Sequence, residues 1–166
     1  MRRVLGVGLA VTLASCATQG PGPGLHPAVP PPPPPPKVAA IVGHGAYRTP
    51  TGGHGTCAGQ SVALFHETVT YRRRIVALYG SSEHALLPVT DVQSRAAKLG
   101  PATENPLVAS SQCGADGGFT FRDLQPGSYF VIARTRQGRA SAPKQYVFMQ
   151  RVVLNEGENR DVTLAP

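Results

Sequence analysis

Residues 116–136 read DGGFTFRDLQPGSYFVIARTR, and little but two β-strands joined by a tight turn can be made of them. Asp116-Gly117 supplies a turn, after which Phe119 and Phe121, two residues apart, put two rings on one sheet face, with Leu124 beyond a bend. Pro126-Gly127 makes the next tight turn. The following run, 128–136, is apolar on both sides through Ile132, as expected of a strand covered on both faces near the middle of a sheet. The wider composition agrees. With 19 glycines, 17 prolines and no tryptophan, and with apolar residues in short runs, many short strands suit the chain better than a helical bundle.

Four further segments have strand character: 37–43, 60–68, 145–154 and 159–165. In QSVALFHET, Val62, Leu64 and His66 share one face and Ala63 and Phe65 the other. Asn155-Glu156-Gly157-Glu158 reads as the turn of a hairpin between the last two segments. Two helical stretches are expected in between. Thr70 would cap YRRRIVALYG, with Ile75, Leu78 and Tyr79 on one face and Gly80 ending it. Asp91 would cap VQSRAAKLG, with Gly100 after it. VGHGAYRTPTGGHG, residues 42–55, reads as a flexible glycine-rich stretch holding His44 and His54.

The pattern Asp116, Gly117, Phe119, Phe121, Leu124, Pro126, Gly127, Tyr129, Val131 and Ala133 resembles the carboxypeptidase regulatory-like domain. VVLNEGENRDVTL looks like that family's final hairpin, and CAGQSVALFHET like one of its strands. The resemblance implies a mainly β, transthyretin/prealbumin-like Greek-key sandwich. Residues 67–112 would form an insertion holding one or two short helices. It implies a role in the fold for each matched residue, with the Tyr129 hydroxyl seeking a backbone partner, and no activity.

The N-terminus carries an address. Arg2-Arg3 and the eleven apolar residues from Val4 to Ala14 form a secretory signal too short to span a bilayer as a helix. Leu13-Ala14-Ser15-Cys16 resembles the lipobox of bacterial lipoproteins. That implies acylation of the Cys16 thiol, cleavage before it, and membrane attachment through diacylglyceryl and fatty-acyl chains. Ala17, in place of the aspartate that retains such proteins in the inner membrane, implies the outer membrane of a Gram-negative cell, facing the periplasm or the cell surface. Pro30 to Pro36 are seven consecutive prolines, a polyproline II strut of roughly 20 Å. Three parts are expected: a signal peptide (1–15), a lipidated proline-rich linker (16–37) and a β-sandwich (38–166). With Cys16 taken by lipid, Cys57 and Cys113 remain. An exported chain is expected to join them, in preference to two buried thiols or half of a metal site.

No catalytic machinery is legible. There is no HExxH, no GxSxG, no P-loop and no dinucleotide fingerprint. His44 and His54 could bind a transition metal from a glycine-rich stretch, but they read as ordinary loop histidines, as His26 reads as part of the spacer, and no metal or cofactor is expected. Net charge is +7. Without Arg2 and Arg3, 14 basic residues face 9 acidic ones. Arg72-Arg73-Arg74 and the group Arg134, Arg136, Arg139 and Lys144 could meet anionic lipid head groups, lipopolysaccharide, teichoic acid or acidic glycans; the preferred reading is a solvated strand edge and helix face, where arginines discourage pairing. Nucleic acid is excluded as a partner by export and by the scarcity of aromatics for stacking. The expected function is a non-catalytic structural or binding module for an envelope protein or glycan. Two alternatives stand beside it. One is an envelope hydrolase or metal-dependent enzyme using 67–112, with His66 or His84 facing an acid or cysteine in a cleft; the other is an accessory subunit of an envelope complex.

Overall fold

The structure, a computed structural model, describes residues 35, 37–48, 53–138 and 144–164. The signal segment, Cys16, His26, most of the proline run and Arg139 lie outside the described residues. Among the described residues ten strands and two helices follow in chain order. They are β1 (Ala39–His44), β2 (Ala46–Arg48), β3 (His54–Thr56), β4 (Ser61–His66), α1 (Val69–Tyr79), β5 (His84–Pro88), α2 (Val89–Leu99), β6 (Leu107–Gln112), β7 (Gly118–Leu124), β8 (Gly127–Gln137), β9 (Lys144–Leu154) and β10 (Asn159–Thr163).

The fold is mainly β, a sandwich of two sheets with two short helices. The smaller sheet has the order β10-β1-β7, with β10 parallel to β1. In the larger sheet β8 is central. It pairs along its whole length with β9 on one side, and with β4 and then β3 on the other. β6 lies beyond β4, β2 beyond β3, and β5 beyond β9. Between the sheets Ile41, Phe119, Phe121 and Leu164 pack against Val62, Leu64, Val131 and Phe148. On the outer face of the larger sheet, Tyr71, Ile75 and Tyr79 of α1 cover Phe130, Val147 and Met149. This second layer is why β8 lacks alternation: Tyr129, Val131 and Ala133 face the first core, and Phe130 and Ile132 the second.

The 116–136 stretch folds as expected. Asp116 Oδ1 accepts from the Gly118 amide at 3.0 Å, and the Gly117 amide donates to Gly114 O. The Phe119 and Phe121 rings meet edge to face at 5.9 Å. A bulge puts four residues of β7, Phe121 to Leu124, against three of β1, Ala39 to Ile41. Asp123 takes a left-handed φ of 57° there, and the extra residue turns Leu124 back into the core. Tyr129 is buried and its hydroxyl donates to Gln125 O at 2.7 Å. Cys57 and Cys113 form the disulfide, with a Cα–Cα separation of 5.8 Å.

Several expectations are corrected. Residues 155–158 do form a turn, with the Asn155 amide donating to the Glu158 carboxylate at 2.8 Å. The turn closes no hairpin, however: it passes the chain from the larger sheet to the smaller, where β10 pairs with β1. Thr68, not Thr70, caps α1; its Oγ1 accepts from the Tyr71 amide at 3.0 Å. α2 starts at Val89 directly from Pro88 of β5, without a side-chain cap, so Asp91 sits inside the first turn, where its charge favours the helix dipole. Gly80 and Gly100 end the two helices as expected. Where the glycine-rich stretch is described, at 42–48 and 53–55, it is largely strand; its residues 49–52 lie outside the described residues. Gly43 lies under the Phe119 ring, Gly45 against the Cys57 sulfur and Gly55 against the Tyr47 ring, each occupying the space a Cβ would need. Residues 67–112 are built into the sandwich: β5 and β6 extend the larger sheet, and α1 and α2 cover it.

Candidate functional site

The helices decide where the larger sheet is covered. In VTYRRRIVALY, Tyr71, Ile75 and Tyr79 recur every four residues and point to the sheet. Two arginines bind the helices to each other. Arg95 Nη1 donates to Leu78 O at 2.9 Å, and Arg74 Nη2 donates to Gly100 O at 2.7 Å. Ion pairs hold the start of α1 to β9. Glu67, largely buried, accepts from Arg151 at 2.7 Å and pairs with Arg72 at 3.2 Å.

Above β4 and β8 the cover is incomplete, leaving a groove of about 540 Å³. Ala63, Phe65, Ile132 and Val147 from the sheet form its floor. Tyr71 and Tyr79 of α1, with Val89, Val92 and Gln93 of α2, form its sides, and Gln60, Ser61 and Arg134 stand at one end. Tyr71 stacks on Phe65 at 5.2 Å and tilts against Phe130 at 6.1 Å. Burial pushes the Tyr71 phenol up to about 12, Arg74 pulling it down less and Glu104 adding a little. Burial raises the Tyr79 phenol further. Both are neutral hydroxyls at any physiological pH, and neither has a hydrogen-bond partner among the described residues. No histidine, cysteine or carboxylate lines the groove. Its chemistry is that of holding a polar molecule: neutral hydroxyl and amide groups over an apolar floor, with one guanidinium at the end.

The residues singled out in the sequence lie elsewhere. Phe119, Phe121, Leu124, Tyr129, Val131 and Ala133 fill the inter-sheet core; Asp116 and Gly117 make the turn before β7, Pro126 sits in the bend before β8, and Gly127 opens β8. His44 and His54 are exposed strand residues, and no group of three metal-ligating side chains exists among the described residues. His66 lies edge-on to Tyr129 at 5.4 Å. His84 shares a shallow hollow with Glu83, whose carboxylate is engaged by Ser82, Arg72 and Arg151. The sequence reading passed over Tyr71, although with a cap at either Thr68 or Thr70 it lies on the face of Ile75 and Tyr79. The four-residue recurrence of Tyr71, Ile75 and Tyr79 is the signal that marks it.

No family model matches the chain, and no curated protein matches it. Among solved structures it is similar to a crystal structure from Pseudomonas aeruginosa described as a "putative carbohydrate binding protein". The TM-score is 0.54 and the identity 15%, over 79% of this chain and 90% of that one. At that identity the likeness is one of fold.

Proposed function

We propose that the protein is a cell-envelope lipoprotein whose sandwich is a non-catalytic, glycan-binding module of the transthyretin-like, carboxypeptidase regulatory-like kind. In this reading Cys16 carries the acyl chains, the outer membrane holds them, and the proline strut sets the head away from the lipid surface. The lipobox and the signal segment before it support the anchor, and the motif at 116–136 supports the domain class. The observation that carries the binding function is the groove, whose lining combines Tyr71, Tyr79, Gln60 and Gln93 with an apolar floor. Sugars present that same mixture, hydroxyls at the ring edge and C–H groups on its face. The similar fold of a protein described as carbohydrate binding supports the choice of ligand class.

The test is titration of the purified native protein against a panel of oligosaccharides. Replacing Tyr71→Phe and Tyr79→Phe together removes both hydroxyls and leaves the rings in place. The affinity of any bound glycan is expected to fall about tenfold or more, since each neutral hydrogen bond contributes roughly 1 kcal/mol. A panel with no binder, or a double variant that binds unchanged, overturns the reading. For the anchor, a fatty-acid analogue is expected to label the native protein and not the Cys16→Ala protein. Native protein that begins at Met1 and carries no label would remove that part.

A further inference from the structure

We infer that the ligand of the groove is an anionic polysaccharide, gripped beyond the groove by Arg134 and Arg136 on the outer face of β8. The inference rests on the glycan reading above and adds the charge of the ligand.

Placement is the first argument. The sequence reading puts Arg134 and Arg136 on a strand edge, where arginines blunt pairing, but β8 is the central strand of its sheet. Edge protection therefore does not explain them. Along β8 the outer face runs from Phe130 and Ile132 beneath the helices to Arg134, which lines the groove, and on to Arg136, both exposed. The two guanidinium stems start about 7 Å apart on one face. Thr56 of β3 is in register with Arg136, and β2 lies against β3 with Arg48 opposite His54. Arg48 therefore projects on this same face.

Charge is the second. Between 44 and 66 and between 125 and 155 the sequence contains no aspartate or glutamate at all. These stretches contain all of β2, β3, β4, β8 and β9. Arg72, Arg151 and Arg160 each pair with a carboxylate, whereas Arg48, Arg134 and Arg136 have no such partner among the described residues. Three uncompensated cations on one open face create a positive potential that recruits an anion. The exposed large apolar residues, such as Val69, Leu99, Leu107 and Val153, all lie off this strip. A surface that inserts into lipid would need them there. A groove of neutral hydrogen-bonding groups that opens onto a line of guanidiniums matches a chain of sugars bearing acid groups at intervals.

The test uses the native protein in neutral detergent. Calorimetry compares an oligogalacturonate with a neutral malto-oligosaccharide of the same length, and glycerol phosphate, the soluble headgroup of an anionic lipid, serves as competitor. The oligogalacturonate is expected to bind more tightly than the neutral chain and to weaken with salt. Arg134→Gln with Arg136→Gln should lower its affinity about tenfold, what two exposed charge pairs supply together. Lys98→Gln with Arg122→Gln, which removes equal charge elsewhere, should leave it unchanged. Arg134→Lys with Arg136→Lys, which keeps the charge, should hold it within about threefold. Equal binding of the acidic and neutral chains overturns the inference and leaves the glycan reading standing. Binding of neither overturns both. Displacement by glycerol phosphate at matched charge, or equal losses in the Gln pair and the control pair, also overturns the inference.

Discussion

Tyr71 and Tyr79 show how one residue's surroundings set a property of the whole protein. In the unfolded chain a phenol ionises near 10. In the fold, burial raises both, Tyr71 to about 12 and Tyr79 beyond it. The folded state thus keeps protons that the unfolded chain gives up, so their contribution is complete below pH 10 and declines as pH rises toward 12. The urea midpoint is expected to fall across that window, and to fall less in the Tyr71→Phe, Tyr79→Phe protein. A midpoint loss of equal size in the variant would show that other groups govern alkaline unfolding. Tyr79 was visible in the sequence as part of an apolar helix face. Tyr71 recurs on that face four residues before Ile75 and was equally legible; the choice between Thr68 and Thr70 as cap was not, because it rests on backbone geometry: Thr68 is extended and Thr70 already helical.

For the elements, α1 is the piece on which the groove depends. It has no acidic residue in its first turn and no basic residue in its last, so the Thr68 cap and the packing of its buried face carry its stability. Thr68→Ala removes the bond to the Tyr71 amide and is expected to cost about 1 kcal/mol in urea unfolding. Because Thr68 Oγ1 also donates to the Glu104 carboxylate, Thr68→Ser should keep most of that stability. Elsewhere the turns were legible and their destinations were not. Asn155 to Glu158 has the residues of a tight turn whether the chain then folds back on β9 or crosses to the other sheet. After the crossing β10 pairs with β1, where Val162 and Leu164 reach the core. β5 and β6 escaped detection because as edge strands they bury little, and their apolar residues do not alternate cleanly.

At the level of the whole molecule, the Cys57–Cys113 bridge closes a loop with a sequence separation of 56, encompassing β4, α1, β5, α2 and β6. The loop entropy removed from the unfolded chain corresponds to about 4 kcal/mol. Cys57→Ser with Cys113→Ser is therefore expected to lower the melting temperature by several degrees or more, and thermal unfolding with and without reductant checks it. Unchanged melting of the reduced protein would mean that packing alone holds this half of the sandwich. The bridge also brackets the helices that wall the groove, so the same variant should bind any groove ligand less tightly near its melting point. The β character, the turn at Pro126-Gly127, a strand covered on both faces and the pairing of two cysteines were all present in the sequence. Each rests on interactions within a few residues or on simple counting. The tertiary structure alone decided which sheet each strand joins, that residues 67–112 cover one face and leave a groove, and that Arg134 and Arg136 stand on a central strand with no acid beside them. Those outcomes depend on burial shared between segments far apart in the chain, and no local pattern encodes which distant surface a strand will meet.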